Sequence, residues 1–112
     1  MPKRVKNAAG TAGGGMRFFD PDEIAAALDL AAGDDEAVRA ELAEAFRASL
    51  HQSCAALLDA GEAGQAELLH RLRGLAASFG ASSVQRLVDE ITTAGVAASA
   101  GALRQILRET AG

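Results

Sequence analysis

Glycines at positions 33, 61, 64, 80 and 95 cut the chain into segments within which apolar residues recur three and four positions apart. That spacing is the period of an amphipathic helix, and a glycine just past the last apolar position is a helix stop. No run of alternating β-branched residues competes with it. The chain is rich in alanine and leucine and has no Trp or Tyr, so it reads as all-α.

Taken in order, residues 1–15 lack periodicity and bulk and end in three glycines, which predicts a disordered N-terminal tail, with Met16 as a candidate natural start. Residues 16–112 form one domain, since 112 residues suffice for one core and not for two. Asp20-Pro21-Asp22-Glu23 reads as an N-cap, a proline at the first helical position and a capping box. They open a short helix to about residue 32 with Ile24, Ala27, Leu28 and Ala31 on its apolar side, and Phe18 and Phe19 fold back over the end of the bundle.

Asp34 and Asp35 open the longest helix, which runs to about residue 60. Its inward positions are Val38, Leu42, Ala45, Phe46, Ser49, Leu50, Ser53, Cys54 and Leu57, and His51 falls on a solvated face. Gly61-Glu62-Ala63-Gly64 reads as a short turn before a helix over 65–79, which Gly80 ends. Ser82 and Gln85 read as a second capping box, opening a helix to about residue 94 with Val84, Leu87, Val88 and Ile91 facing in. The last helix, 99–110, turns Ala102, Leu103, Ile106, Leu107 and Thr110 inward and Arg104 and Arg108 outward. Four amphipathic helices with tight links predict an antiparallel up-down-up-down four-helix bundle, with the short additional N-terminal helix capping one end.

Charge and cysteine usage remove several function classes. Net charge is −4, and three of the 11 basic residues are Lys3, Arg4 and Lys6, which leaves 8 basic against 15 acidic groups in the body. Such a body is a poor nucleic-acid binder. The single cysteine, Cys54, excludes an intramolecular disulfide and a cysteine-based metal site and packs as a small apolar residue. No apolar run approaches the ~18 residues that cross a bilayer, and no hydrophobic segment follows the basic start, so the chain reads as cytoplasmic with no membrane partner.

The functional signal is centred on His70. In the segment 65–79, Leu68, Leu72, Leu75 and Phe79 share one helix face, widened by Leu69 and Ala76. On the opposite face Ala66, His70, Arg73, Gly74 and Ala77 form a stripe, a histidine and an arginine among residues with almost no side chain. A glycine inside a helix costs roughly 1 kcal/mol relative to alanine. Access is the compensating reason at Gly74: a partner's backbone approaches the imidazole there without a clash. Arg73, one turn away, is placed to screen a phosphoryl group on the ring and hydrogen-bond its oxygens. The same residues also fit an ordinary solvated face with a chance glycine in an Ala/Gly-rich chain.

The run His70, Leu72, Arg73, Gly74, followed by Gly80-Ala81, resembles the signature of histidine-containing phosphotransfer (HPt) domains. Upstream, Leu42, Phe46, Leu50 and the ending Leu57-Leu58-Asp59-Ala60-Gly61 resemble that family's preceding helix; downstream, Val84, Leu87, Val88 and Ile91 resemble its next one. The resemblance covers roughly residues 34–110. Three positions depart from it: Arg73 where lysine is commoner, Leu69 where a small residue often precedes the histidine, and Thr92 where an acidic residue is frequent.

The resemblance implies the same bundle and a phosphohistidine carrier in a multistep phosphorelay, a non-enzyme with no cofactor of its own. It implies His70 as phosphoryl acceptor, Arg73 as charge stabiliser, and a docking face that includes Ala66, Glu67, Arg71, Gly74 and Ala77. The partner is a response-regulator receiver domain, a hybrid sensor histidine kinase, or both, and the receiver supplies Mg²⁺ and most catalytic groups. Glu67 is a candidate acceptor for the other ring proton, with a water-facing glutamate as the alternative. Nothing in the sequence asks for more than a monomer.

Three other readings remain to be weighed. A non-phosphorylated regulatory module docking through the same face keeps every feature but the chemistry. A histidine-kinase dimerisation hairpin fits poorly, because Arg71 rather than an acidic residue follows the histidine and no proline occurs after Pro21. An ordinary enzyme fits least, since no second titratable residue is placed beside His70 and no glycine-rich phosphate loop precedes a helix.

Overall fold

The computed structural model describes residues 18–60 and 62–111 of the chain, so the expected tail 1–15, Met16 and Gly61 lie outside the described residues. Five α-helices and a 3-10 turn make up the described part, which contains no strand. They are α1 Pro21–Ala32, α2 Glu36–Asp59, α3 Glu62–Phe79, α4 Ser82–Ala94 and α5 Ala100–Thr110, with the 3-10 turn Ala97–Ser99 leading into α5. α2 packs against α1, α3 and α5, while α3 also packs against α1 and α4.

The core is the set of inward positions that the helical period selects. Phe46, Leu50, Cys54, Leu72, Val84, Val88, Ile91, Leu103 and Ile106 are fully buried. Phe46 sits at their centre with its ring centroid 4.8 Å from Phe79 and 5.9 Å from Phe19, offset contacts that aromatic rings favour. On α3 the buried positions are Leu69, Leu72 and Ala76, with Leu68, Leu75 and Phe79 only half-buried. Ala45 and Ser49, expected to face inward on α2, are exposed, because the wider α2 face is covered only where α1, α3 and α5 reach it.

Helix ends depart from the sequence reading in instructive ways. Asp20 does cap α1, accepting from Asp22 N at 2.9 Å with Pro21 as the first helical residue. Glu23 does not close that box. Its carboxylate reaches the start of α4, accepting from Ser83 Oγ at 2.7 Å and Ser83 N at 3.4 Å. The expected Ser82 and Gln85 box is absent for the same reason: Ser82 is already helical, the N-cap is Ala81, and no side chain of the α4 segment caps it. A bare helix N-terminus carries unpaired N–H groups and a partial positive charge, and Glu23 from α1 supplies the anion.

Asp35 alone caps α2, accepting from Ala37 N and Val38 N at 3.1 and 3.2 Å, and Asp34 stays outside. The expected turn over 61–64 is shorter, because α3 begins at Glu62 and takes Ala63 and Gly64 into its first turns. Gly80 closes α3 as expected, with φ +69°. Ala81 N donates to Ala76 O at 2.9 Å and Gly80 N to Ala77 O at 3.3 Å, the paired bonds of a Schellman ending.

The solvated face expected for His51 is also corrected. His51 is half-buried, with Nδ1 2.8 Å from the hydroxyl of the buried Thr110. That hydroxyl donates its one proton to Ile106 O at 2.7 Å, so the imidazole is the donor to Thr110. Arg47, one turn earlier on α2, donates to the Thr110 carbonyl and to Glu44, which lowers the Glu44 carboxyl below its usual value. The two side chains tie the end of α5 to α2. Glu109 fastens the other neighbour, accepting from Phe18 N and Phe19 N at 2.7 and 2.8 Å.

Two outcomes follow from these contacts. Glu23→Ala leaves the start of α4 unpaired and lowers unfolding stability by about 1–2 kcal/mol in chemical denaturation, and an unchanged midpoint refutes the cross-helix cap. Cys54 is buried, and burial pushes its thiol up to about 12. Alkylation at pH 8 therefore requires opening of the fold and is slow in the native protein compared with the denatured one. Because the folded thiol holds its proton above the pH at which the unfolded one loses it, stability falls as pH rises from about 9 towards 12, which thermal melts across that window read.

Candidate functional site

α3 presents His70 from its middle, between the buried positions Leu69 and Leu72 and one turn before Gly74. Ala66, His70, Arg73, Gly74 and Ala77 are all exposed, as are Glu67 and Arg71 at the edges of their stripe. The helical period alone brings them together, since three- and four-residue steps return to one face.

Gly74 answers a question the sequence leaves open. A β-carbon built there meets nothing within 4 Å among the described residues, so no described neighbouring element requires the glycine. Its backbone is not in the left-handed region either. The absence of a side chain at this point leaves the surface beside the imidazole flat.

Ion pairs flank the histidine on both sides. Arg71 Nη2 lies 2.9 Å from Glu67 Oε2 along α3, so the carboxylate considered for the ring proton is taken by an arginine instead. Arg73 Nη1 lies 2.9 Å from Asp89 Oδ1 on α4. Between these pairs His70 makes no hydrogen bond or ion pair with any described residue. Both ring nitrogens are left to solvent or to a partner.

The stripe borders a groove of about 1030 Å³ where α2 and α4 end and α3 and α5 begin. Leu57, Leu58, Leu69 and Val96 supply its apolar lining, and His70, Arg73 and Arg104 its ionisable groups. Thr92 lines the same groove with its hydroxyl donated to Val88 O at 2.8 Å. Two residues of this site escaped the sequence reading. Asp89 follows Arg73 by sixteen positions across the Gly80 corner, and no local period links them. Arg104 reads only as an outward position of the last helix, with nothing in its neighbours to tie it to His70.

The described residues contain no group of three or more His, Cys, Asp and Glu side chains able to hold a metal ion, and no described helix is long and apolar enough to cross a membrane. Chemically the arrangement offers an accessible nucleophilic imidazole, a cation on the same helix, and a flat approach. No protein-family model matches the chain, and neither the curated proteins nor the solved structures contain a match to it.

Proposed function

We propose that this chain is a phosphohistidine carrier in a multistep two-component phosphorelay, exchanging a phosphoryl group between His70 and the aspartate of a response-regulator receiver domain. One observation carries the reading. An imidazole that no described residue binds stands beside a mid-helix glycine that no contact among the described residues requires, so the clearance at Gly74 serves something that approaches from outside. The same reading takes α2 to α5 as an antiparallel up-down-up-down bundle with α1 over one end. Short links and the packing of α2 on α3 and α5 and of α3 on α4 support that arrangement.

The step needs little from this chain. The lone pair of the outward His70 nitrogen attacks the phosphorus of the aspartyl phosphate; the N–P bond forms as the acyl phosphate P–O bond breaks, and the aspartate leaves as carboxylate. The ring proton stays on the other nitrogen and is exchanged with water. Phosphoryl transfer depends on positioning and charge stabilisation, and here Arg73 answers the charge while the receiver brings Mg²⁺ and the remaining groups. Ala66, Glu67, Arg71, Gly74 and Ala77 form the face on which a receiver or hybrid sensor kinase docks. The protein acts as a monomer in the cytoplasm and binds neither nucleic acid nor membrane.

Labelled phosphoryl from a phosphorylated receiver of the same source moves onto the chain, persists in His51→Gln and is absent in His70→Gln. A receiver that binds the stripe while passing no label turns the reading to a non-phosphorylated regulatory module on the same face. Gly74 gives a second measurement. Gly74→Ala raises unfolding stability by about 0.5–1 kcal/mol, because the β-carbon meets open space and alanine favours the helix. Gly74→Leu lowers the transfer rate by on the order of tenfold or more without unfolding the protein, since its bulk stands where the partner docks. Equal transfer rates in wild type and Gly74→Leu remove the docking role.

A further inference from the structure

The two arginines that line the groove with His70, Arg73 and Arg104, are electrostatically unequal, and the following inference rests on the carrier reading. The groove at the His70 stripe is lined by His70, Arg73 and Arg104 and by no carboxylate, although the chain has 15 acidic residues. Arg73 is held 2.9 Å from Asp89, and the couple is neutral as a whole. A neutral couple presents a dipole, whose field falls off faster than that of a charge. On the opposite flank Glu67 and Arg71 neutralise each other in the same way. Arg104 is exposed and forms no ion pair with any described residue. It is the uncompensated cation among the described groove residues.

We propose that Arg104, brought from α5 to the groove that His70 borders, is a further phosphoryl-binding residue of this site. A phosphoryl group adds roughly two negative charges at neutral pH. The Arg73 and Asp89 couple offsets little of that charge while it stays closed, whereas Arg104 contributes its full charge without first breaking a contact. Asp89 acts in the opposite sense, holding Arg73 back until the phosphoryl group competes for it. A surface pair of this kind is worth about 0–1 kcal/mol, so the competition is between comparable partners.

The test uses the full chain in a His51→Gln background, phosphorylated on His70 with potassium phosphoramidate, which passes its phosphoryl group to the ring with loss of ammonia. ³¹P NMR then follows the second ionisation of the phosphoryl group as pH is varied. A neighbouring cation favours the dianion, so Arg104→Gln raises the midpoint by about half a unit and Arg104→Lys restores most of it. Asp89→Asn, which frees Arg73, lowers the midpoint and recovers part of the loss when added to Arg104→Gln. The equilibrium between phosphorylated chain and phosphorylated receiver moves with it, about threefold towards the receiver in Arg104→Gln.

A titration of Arg104→Gln that superimposes on its parent overturns the proposal, as does a His70 that accepts no phosphoryl group from phosphoramidate. Failure of every receiver to pass label, with phosphoramidate still effective, overturns the carrier reading alone. The titration then still decides whether Arg104 faces an anion on His70.

Discussion

The left-handed turn at Gly80 is the constraint on which the outer face of α3 depends. Within a few residues it ends α3, starts α4 and brings the α4 N-terminus against α1, where Glu23 supplies the missing cap. A β-carbon at Gly80 lies 3.4 Å from the Glu23 carbonyl oxygen, so any other residue is strained in φ and also pressed against the backbone of the helix that does the capping. Ala76 and Ala81, joined by the closing hydrogen bond of the turn, are both buried beneath it. The path of α4 away from this corner is what lets Asp89 meet Arg73. The pairing of Arg73 with Asp89 therefore depends on a turn that shares no residue with it.

Charge is arranged by pairing more than by composition. The body of the chain is acidic, yet Glu67 and Asp89 are each held by an arginine, and no carboxylate is among the described residues that line the groove. Exposed pairs contribute little to stability. Their consequence is local: they remove net negative charge from the surface around His70. On the carrier reading, an acidic protein keeps a site open to phosphate in this way without becoming basic overall.

Much of the fold was legible because the helical period is local. Phe46, Leu50, Cys54, Leu72, Val84, Leu87, Val88 and Ile91 were placed inward from spacing alone, and α4 ends where Gly95 puts it. The stripe around His70 was legible for the same reason. The misreadings share a different cause. Glu23 looked like the partner of its own helix and caps another; His51 looked solvated and donates to Thr110; Glu67, which offered either His70 or water as its partner, binds Arg71. In each case a polar side chain chose among several partners within reach, and only the packing of whole helices decides which one is near. Arg104 and Asp89 belong to that class too, being joined to the site by tertiary contact and by no sequence interval.

The two histidines show what this packing does to one side chain type. His51 has its Nδ1 proton committed to a hydroxyl that has spent its own proton on Ile106, so its tautomer is set by the fold and its ring serves as a strut between α2 and α5. His70 stands on an equally regular helix, with neither nitrogen engaged by the described residues. An enzyme's general base is ordinarily oriented by a third group that fixes which nitrogen holds the proton. On the carrier reading that third group is missing for a physical reason: orientation is left to the docked partner. Clearance at Gly74 and the lack of an internal partner are then two sides of one arrangement, in which the chain supplies a nucleophile and a cationic wall and withholds the rest of the catalytic machinery.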